Sequence, residues 1–212
     1  MPRPRFYRLE MPRQASILDA AAREFGERGF EAASYNRIIE RAGLSKGAMY
    51  YYFDDKQDLY VTVLTESIES FLGSMMHATE YQQADGFWDG MNAMWRRGLL
   101  FLATNPRAAM VSRSFMSAPR SLDDFPAIRE LYERANRWME GLVAAGQSVQ
   151  AVRTDLPRDM MVKAVFAVAE SMNEYSLNTI ERDALVDEAL ETWLDTTIAQ
   201  FIGLVRRMVE TP

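Results

Sequence analysis

Apolar residues recur along almost the whole chain at the three- and four-residue spacing of amphipathic helices, and no convincing period-two alternation interrupts them. The pattern predicts an all-α protein of about nine helices, over residues 13–28, 36–43, 45–53, 55–79, 87–104, 106–116, 126–143, 158–178 and 183–209. Proline and glycine separate these segments, and Pro157 suits the first turn of a helix because its missing N–H would be unpaired there anyway. Residues 117–125 and 146–157 are predicted connections.

Residues 34–53 carry the features of two short helices joined by a tight turn. Ser34 and Ser45 can each accept a hydrogen bond from an unpaired backbone N–H at the start of a helix. Gly43 permits the turn between the helices, because glycine adopts positive φ at little steric cost. Two helices joined by a short turn that contains glycine are the arrangement that places the second helix in a DNA major groove.

Charge divides unevenly between this N-terminal part and the rest of the chain. The formal net charge is −6, yet residues 1–53 hold nine Lys/Arg against six Asp/Glu, and the remaining 159 residues hold 15 against 24. Attraction to phosphate depends on local charge, so a basic head can bind DNA although the whole chain is acidic. The sequence therefore predicts a small basic head followed by a larger acidic body.

The composition narrows the possible chemistry. The chain has no cysteine and a single histidine, His77, which excludes disulfides, thiolate zinc sites, thiol catalysis and a histidine cluster. No window approaches eighteen apolar residues, and the N-terminus lacks the apolar stretch of a secretory signal. We therefore expect a cytoplasmic protein with no membrane partner, no catalytic residue, no metal and no cofactor.

Residues 13–59 resemble the DNA-binding domain of the tetracycline-repressor (TetR) family of bacterial regulators. The matching stretches are Ala20-Ala21-Ala22-Arg23-Glu24-Phe25, Gly29-Phe30, Ile38, Ala42-Gly43-Leu44-Ser45-Lys46-Gly47, Tyr50-Tyr51-Tyr52-Phe53, Lys56 and Leu59. Ile39 departs from the alanine that the family commonly has, and Asp54-Asp55 from a basic or small pair. The resemblance implies a ligand-responsive regulator, most often a repressor, with a DNA-binding domain at 1–56 and an effector-binding and dimerisation domain at 57–212.

The resemblance also implies roles on a palindromic operator in double-stranded DNA. Ser34, Tyr50 and Lys56 align with positions that often touch phosphates in the family, whereas residue type favours Ala48, Met49 and Tyr51 as readers of base edges. The predicted DNA contacts are Ser34, Arg37, Ser45, Lys46, Gly47, Ala48, Met49, Tyr50, Tyr51 and Lys56. Tyr52 and Phe53 are predicted core residues. The arm at residues 3–13 either enters the adjacent minor groove or is a solvated tail.

Methionines and aromatic residues are frequent in the body, and a packed core accounts for most of them. Methionine also adapts to irregular ligands, and pockets between helices are mostly apolar. The resemblance implies a pocket for a small apolar or aromatic effector between the middle helices. The candidate residues are Trp95, Phe115, Trp138, Met172 and Tyr175.

The last two predicted helices are apolar on more than one side, which requires a second covering surface. Either a partner subunit supplies it or both sides are buried within one chain. The resemblance implies the first, a homodimer through residues of about 158–178 and 183–209.

Two other classes of function remain open. The head can instead bind a protein, or the chain can be an all-helical enzyme that uses Glu or Asp side chains. The enzyme is disfavoured by the lack of a cysteine or histidine cluster and of a glycine-rich phosphate loop.

Overall fold

Helices account for nearly all of the chain that the computed structural model describes, namely residues 2–75, 84–117, 125–183 and 186–211. After a 3₁₀ turn at Phe6–Arg8, the helices in these ranges are α1 Met11–Ala32, α2 Tyr35–Arg41, α3 Lys46–Tyr52, α4 Lys56–Met75, α5 Ala84–Thr104, α6 Pro106–Ser117, α7 Pro126–Ser148, α8 Arg158–Arg182 and α9 Asp187–Val209. The described ranges hold no strand, only an isolated antiparallel bridge between Val152 and Glu210. The all-α prediction is confirmed.

Glycines explain where the helix boundaries agree with the sequence pattern and where they differ. Gly29 interrupts α1 with φ of 69°, at the position where the pattern predicts the end of that helix. Gly146, by contrast, does not end α7 at the predicted residue. A Cβ there would lie 2.5 Å from Val152 Cγ2 and 2.8 Å from Phe87 Cζ, so this glycine provides close packing. Residues 76–79 of the predicted fourth helix lie outside the described residues.

The chain folds into two compact units, Met1–Ser70 with Asn105–Leu131 and Phe71–Thr104 with Tyr132–Pro212. Their boundaries differ from the division predicted between residues 56 and 57. The difference arises because α4 contributes to both units and α6 packs on α1. The functional division at residue 56 stays a prediction.

In the N-terminal unit the core forms between α1, α2, α3 and the start of α4. Phe25, Phe30, Tyr60 and Phe125 make an aromatic cluster in which the ring centroids of Phe25 and Tyr60 are 4.8 Å apart. Helix α1 also approaches α6 closely, since a Cβ on Gly26 would lie 3.0 Å from Met110 Cβ. This core supports the helix pair α2–α3.

The second unit is built around α5 and α9, where Trp95 packs edge-on against Phe201 with ring centroids 4.8 Å apart. Seven apolar residues of α9 are buried within the unit: Leu190, Leu194, Ile198, Phe201, Ile202, Val205 and Val209. Most of the apolar surface of α9 is therefore already covered by its own chain. None of the described helices is both long and apolar enough to cross a membrane.

Candidate nucleic-acid interface and effector site

The turn between α2 and α3 is built by local capping, as the sequence predicts. Ser34 Oγ accepts a hydrogen bond from the Arg37 N–H at 3.4 Å, and Ser45 Oγ accepts one from the Ala48 N–H at 3.1 Å. Gly43 has φ of 59°, and the Arg13 guanidinium donates to its carbonyl at 3.0 Å. The turn is thus fixed by both a glycine conformation and a side chain from α1.

Helix α3 presents tyrosines outward and anchors itself with other residues. Tyr50 and Tyr51 are 47% and 49% exposed, whereas Phe53 is fully buried and Tyr52 is half-buried against the core. Met49 is also fully buried, and a side chain in the core cannot reach a base edge. The role predicted for Met49 is therefore corrected, and we drop it from the proposed DNA contacts. Ala48 is partly exposed, while Lys46 and Gly47 are exposed.

Lys56 occupies a different position from the one its predicted role suggests. Its ammonium donates to the carbonyls of Phe30, Glu31 and Ala33 at 2.8, 3.3 and 3.2 Å, and it lies over the Phe30 ring. An ammonium has three donors, so these carbonyls use its whole capacity. A phosphate contact by Lys56 would have to replace one of these bonds.

Glu24 is a buried carboxylate that sequence reasoning missed. It accepts hydrogen bonds from the Ser34 N–H at 3.0 Å and from Arg37 Nε at 2.9 Å, with Arg28 and Arg41 close by. Burial raises the pKa of Glu24, but those hydrogen bonds and the charges of Arg37 and Arg28 outweigh it and hold the pKa below its usual value. Glu24 follows Ile17 by seven residues and so lies on the apolar face of α1. This position was the feature of the sequence that could have indicated its burial.

Arg37, a predicted DNA contact, is thereby held on Glu24. Its side chain is still 43% exposed, and the distance from its Nη2 to Glu24 Oε1 is 2.8 Å. The arginine can face solvent, but part of its hydrogen-bonding capacity is already used to join α2 to α1.

The acidic pair Asp54-Asp55 also has partners inside the unit. Asp55 Oδ1 accepts from the Asp58 N–H at 2.7 Å, and Asp58 Oδ2 accepts from the Asp54 N–H at 3.1 Å, an arrangement that caps α4 reciprocally. The Asp54 carboxylate accepts from Arg3 Nε at 2.9 Å. The two carboxylates therefore stabilise the fold and neutralise an arginine of the arm.

Most basic residues of the N-terminal unit are bonded in this way. Among residues 2–53, the arginines with protein partners are Arg3, Arg13, Arg23, Arg28, Arg37 and Arg41. Arg5, Arg8 and Lys46 make no ion pair and no side-chain hydrogen bond within the described ranges, although Arg5 lies over the Tyr51 ring. The cations available to an external anion are thus fewer than the sequence suggests.

Three of the predicted effector residues belong to one apolar cluster of the second unit. Trp95 is buried in the core of the second unit, and Trp138 and Met172 pack against that core while partly exposed. Tyr175 is 57% exposed on α8. Phe115 lies on α6, which belongs to the other unit, and its side chain is outside the described residues.

Three polar atoms in the described residues of the second unit are buried and unpaired. Trp88 Nε1, Asn173 Oδ1 and Ser176 Oγ have no hydrogen-bond partner within the part of the chain that the structure describes. An unpaired buried polar atom destabilises a fold by about 1–3 kcal/mol. A ligand that bonded these atoms would recover part of that loss.

Residues 17–63 match the family model of bacterial regulatory proteins of the tetR family. This segment of the chain is similar to the tetR family. Among characterised relatives, the HTH-type transcriptional activator FasR of Mycolicibacterium smegmatis is 35% identical over 66 residues, which cover 31% of this chain and 30% of FasR. The HTH-type transcriptional repressor AcnR of Corynebacterium diphtheriae is 41% identical over 58 residues, covering 27% and 30%. These alignments thus span about a third of each relative.

A likeness in fold extends over the whole chain. A crystal structure of a TetR family transcriptional regulator from Chloroflexus aurantiacus superposes with a TM-score of 0.75 at 22% identity, covering 100% of both chains. At this identity the likeness concerns the fold. One curated relative is an activator and another a repressor, so similarity in the head does not determine the direction of regulation.

Proposed function

We propose that this protein is a homodimeric transcriptional regulator that binds a palindromic operator through α2 and α3 and responds to a small apolar or aromatic effector. The observation that carries the proposal is the capped α2–turn–α3 pair with Tyr50 and Tyr51 exposed on α3. Base-edge readers on such a helix determine sequence preference, and cations beside it supply the attraction to phosphate. Repression is the direction of regulation that we propose.

The DNA contacts that we propose lie on or beside α3. We assign base-edge contacts to Tyr51 and Ala48, and the burial of Met49 and Phe53 on the opposite side of α3 supports this assignment. Tyr50 packs edge-on against Tyr35 with ring centroids 5.3 Å apart, and this contact fixes the orientation of the Tyr50 ring. Ser34, Ser45 and Gly47 are proposed contacts beside them, and Lys46 supplies charge.

Selection of duplexes from a random library with the purified protein tests the DNA-binding function. We expect an inverted repeat whose half-sites lie about one helical turn apart, because two heads read successive major grooves. Binding of the recovered duplex is then measured by fluorescence anisotropy at several salt concentrations. Recovery of no preferred sequence would reject the proposal and favour a protein partner for the head.

The dimer that we propose uses the exposed sides of α8 and α9. Tyr175 and Trp193 border an open groove of about 670 Å³ on this surface, and Leu204 is 45% exposed. Small residues follow one another along the exposed side of α9, at Thr192, Thr196, Ala199 and Gly203. Small side chains allow a partner helix to approach closely. The interface therefore rests on these exposed positions, since most large apolar residues of α9 are buried within the chain.

Charge substitutions on this surface test the dimer. Leu204→Glu and Tyr175→Glu should each produce monomers at micromolar concentration, measured by sedimentation velocity, because a buried unpaired carboxylate opposes association. Met11→Glu is the matched control, as Met11 is an apolar residue 76% exposed in the other unit. Dimers that survive both substitutions would rule out this surface.

The effector that we propose binds in the second unit, next to Trp138 and Met172. The unpaired Trp88 Nε1 requires a hydrogen-bond acceptor, so the ligand is mostly apolar and carries at least one acceptor group. A ligand that weakens DNA binding a hundredfold must prefer the non-binding conformation by about 2.7 kcal/mol.

A thermal-shift screen of apolar compounds, with and without an acceptor group, tests this site. A compound that binds should raise the melting temperature of the protein and release the selected duplex. The Trp88→Phe and Trp138→Ala variants should bind this compound more weakly than the wild type. A hit that stabilises the protein without changing DNA affinity would contradict the effector role.

A further inference from the structure

Residues 3–9 of the N-terminal arm fold against the end of α3 and are part of the same surface. Phe6 is fully buried, and its ring centroid lies 4.9 Å from that of Phe53. The Arg3 N–H donates to the Tyr52 carbonyl at 2.9 Å, and Arg3 also pairs with Asp54. The arm is therefore attached to the end of α3 on both sides of Arg5, and the solvated tail considered from the sequence is not what the structure shows.

Arg5 is carried by this arm to the exposed face of α3. Its guanidinium carbon lies 4.3 Å from the centroid of the Tyr51 ring. Tyr51 is half exposed and also meets Tyr52 edge-on, with ring centroids 5.4 Å apart. No carboxylate within the described residues pairs with Arg5, so its hydrogen-bond donors remain available beside a predicted base reader.

We propose that Arg5 and Tyr51 contact the operator as one stacked pair, so that a residue of the arm determines specificity together with α3. This inference rests on the proposed DNA-binding function. Arginine can donate two parallel hydrogen bonds to the major-groove edge of guanine, and stacking on an aromatic ring fixes the plane that makes them. A side chain held in place before binding loses less entropy when it binds, which favours selective contacts.

Arg8 provides the matched comparison. It lies on the same 3₁₀ turn, carries the same charge, is exposed, and makes no ion pair and no side-chain hydrogen bond within the described ranges. An arginine without a fixed position adds attraction to phosphate on any sequence. Comparing variants of Arg5 and Arg8 therefore distinguishes a sequence-specific DNA contact from a general attraction to phosphate.

The experiment uses the full chain and two duplexes, the one recovered by selection and a scrambled duplex of the same composition. Arg5→Ala should weaken binding to the selected duplex about tenfold and alter binding to the scrambled duplex far less. Arg8→Ala should weaken both to the same small extent. Arg5→Lys keeps the charge but should lose most of the preference, because lysine cannot make the paired contact.

Two further measurements distinguish a DNA contact from a change in folding. Thermal unfolding of Arg5→Ala should match the wild type, since Phe6 and Arg3 attach the arm without it. The double variant Arg5→Ala/Tyr51→Ala should bind the selected duplex no worse than Tyr51→Ala alone, because the pair acts as a unit.

The inference is overturned if Arg5→Ala and Arg8→Ala change the two duplexes alike, or if the effects of Arg5→Ala and Tyr51→Ala simply add. In either case the wild-type preference for the selected duplex still stands, and so does the proposed function. Failure of the wild type to select any duplex would instead remove both.

Discussion

Lys46 and Lys56 have the same chemistry but different surroundings in the N-terminal unit. Lys56 bonds three carbonyls near the end of α1, whereas Lys46 is exposed and makes no side-chain hydrogen bond among the described residues. We expect Lys56→Ala to lower the free energy of unfolding by about 2 kcal/mol, because carbonyls bonded to a charged donor lose their partner. Urea denaturation measures this change.

Lys46→Ala is the control for that substitution. It should leave the unfolding free energy unchanged and weaken binding to selected and scrambled duplexes alike, as expected of a phosphate contact. A Lys56→Ala variant of unchanged stability but weaker DNA binding would restore the phosphate role predicted from the resemblance.

The lowered pKa of Glu24 predicts a specific dependence of the free energy of unfolding on pH. Its pKa is held below the usual value in the folded state, so its contribution is complete above about pH 4.3 and is lost as the pH falls through the folded pKa. Glu24→Gln should therefore be less stable than the wild type by about 2 kcal/mol at neutral pH, and the difference should shrink in acid. Urea unfolding at a series of pH values checks it.

Glu40→Gln serves as the matched control, since Glu40 is an exposed glutamate on α2. Its stability should follow that of the wild type at every pH. A Glu24→Gln deficit that persists undiminished in acid would show that the amide disrupts packing rather than charge pairing.

At the scale of elements, the turn between α2 and α3 depends on the backbone conformation of Gly43. A Cβ at Gly43 would meet no atom within 4 Å, so an alanine there is disfavoured by its positive φ alone. Gly43→Ala should reduce stability by about 1–2 kcal/mol, and Gly43→Asn by less, because asparagine tolerates the left-handed region better. Thermal and urea unfolding measure both.

Gly47 is the contrasting glycine, because it lies within α3 and a Cβ there would only touch Ser45 Oγ at 4.0 Å. Gly47→Ala should keep or slightly raise stability while weakening DNA binding, if the DNA backbone approaches it closely. Equal losses of stability at both glycines would contradict the role of positive φ.

The elements themselves could be predicted from the sequence because their determinants are local. Ser34, Gly43 and Ser45 act on residues no more than four positions away, and the structure confirms each of them. Met49 could not be placed from the pattern, because α3 has only seven residues and its inward side depends on the core that it shares with other helices of the unit. The order of helices was predictable, but which residues of α3 face outward was predictable only in part.

At the scale of the whole molecule, the salt dependence of DNA binding reports how many cations of the protein contact phosphate. A dimer in which Arg8 and Lys46 of each head contact phosphate, while Arg5 contacts a guanine, should show a slope of log affinity against log salt of roughly −4. Anisotropy titrations between about 50 and 200 mM salt measure this slope. A slope near −10 would mean that Arg3, Arg37 or their neighbours leave their carboxylates to bind phosphate.

Lys46→Ala removes one cation from each head and should reduce the magnitude of that slope by about 2. An unchanged slope would show that Lys46 does not contact phosphate.

The sequence alone determined the all-α class and the position of the turn, because helical period and capping act over a few neighbouring residues, and its resemblance to the TetR family singled out Tyr50 and Tyr51 as surface residues. Only the tertiary structure decided which charges remain available. Arg3 meets Asp54, Lys56 meets the end of α1, and Arg5 reaches Tyr51, in each case across more than twenty residues of chain. Such pairs form between residues that are distant in the sequence and that only folding brings together. The set of charged groups on the head that remain available to DNA is therefore a property of the tertiary structure.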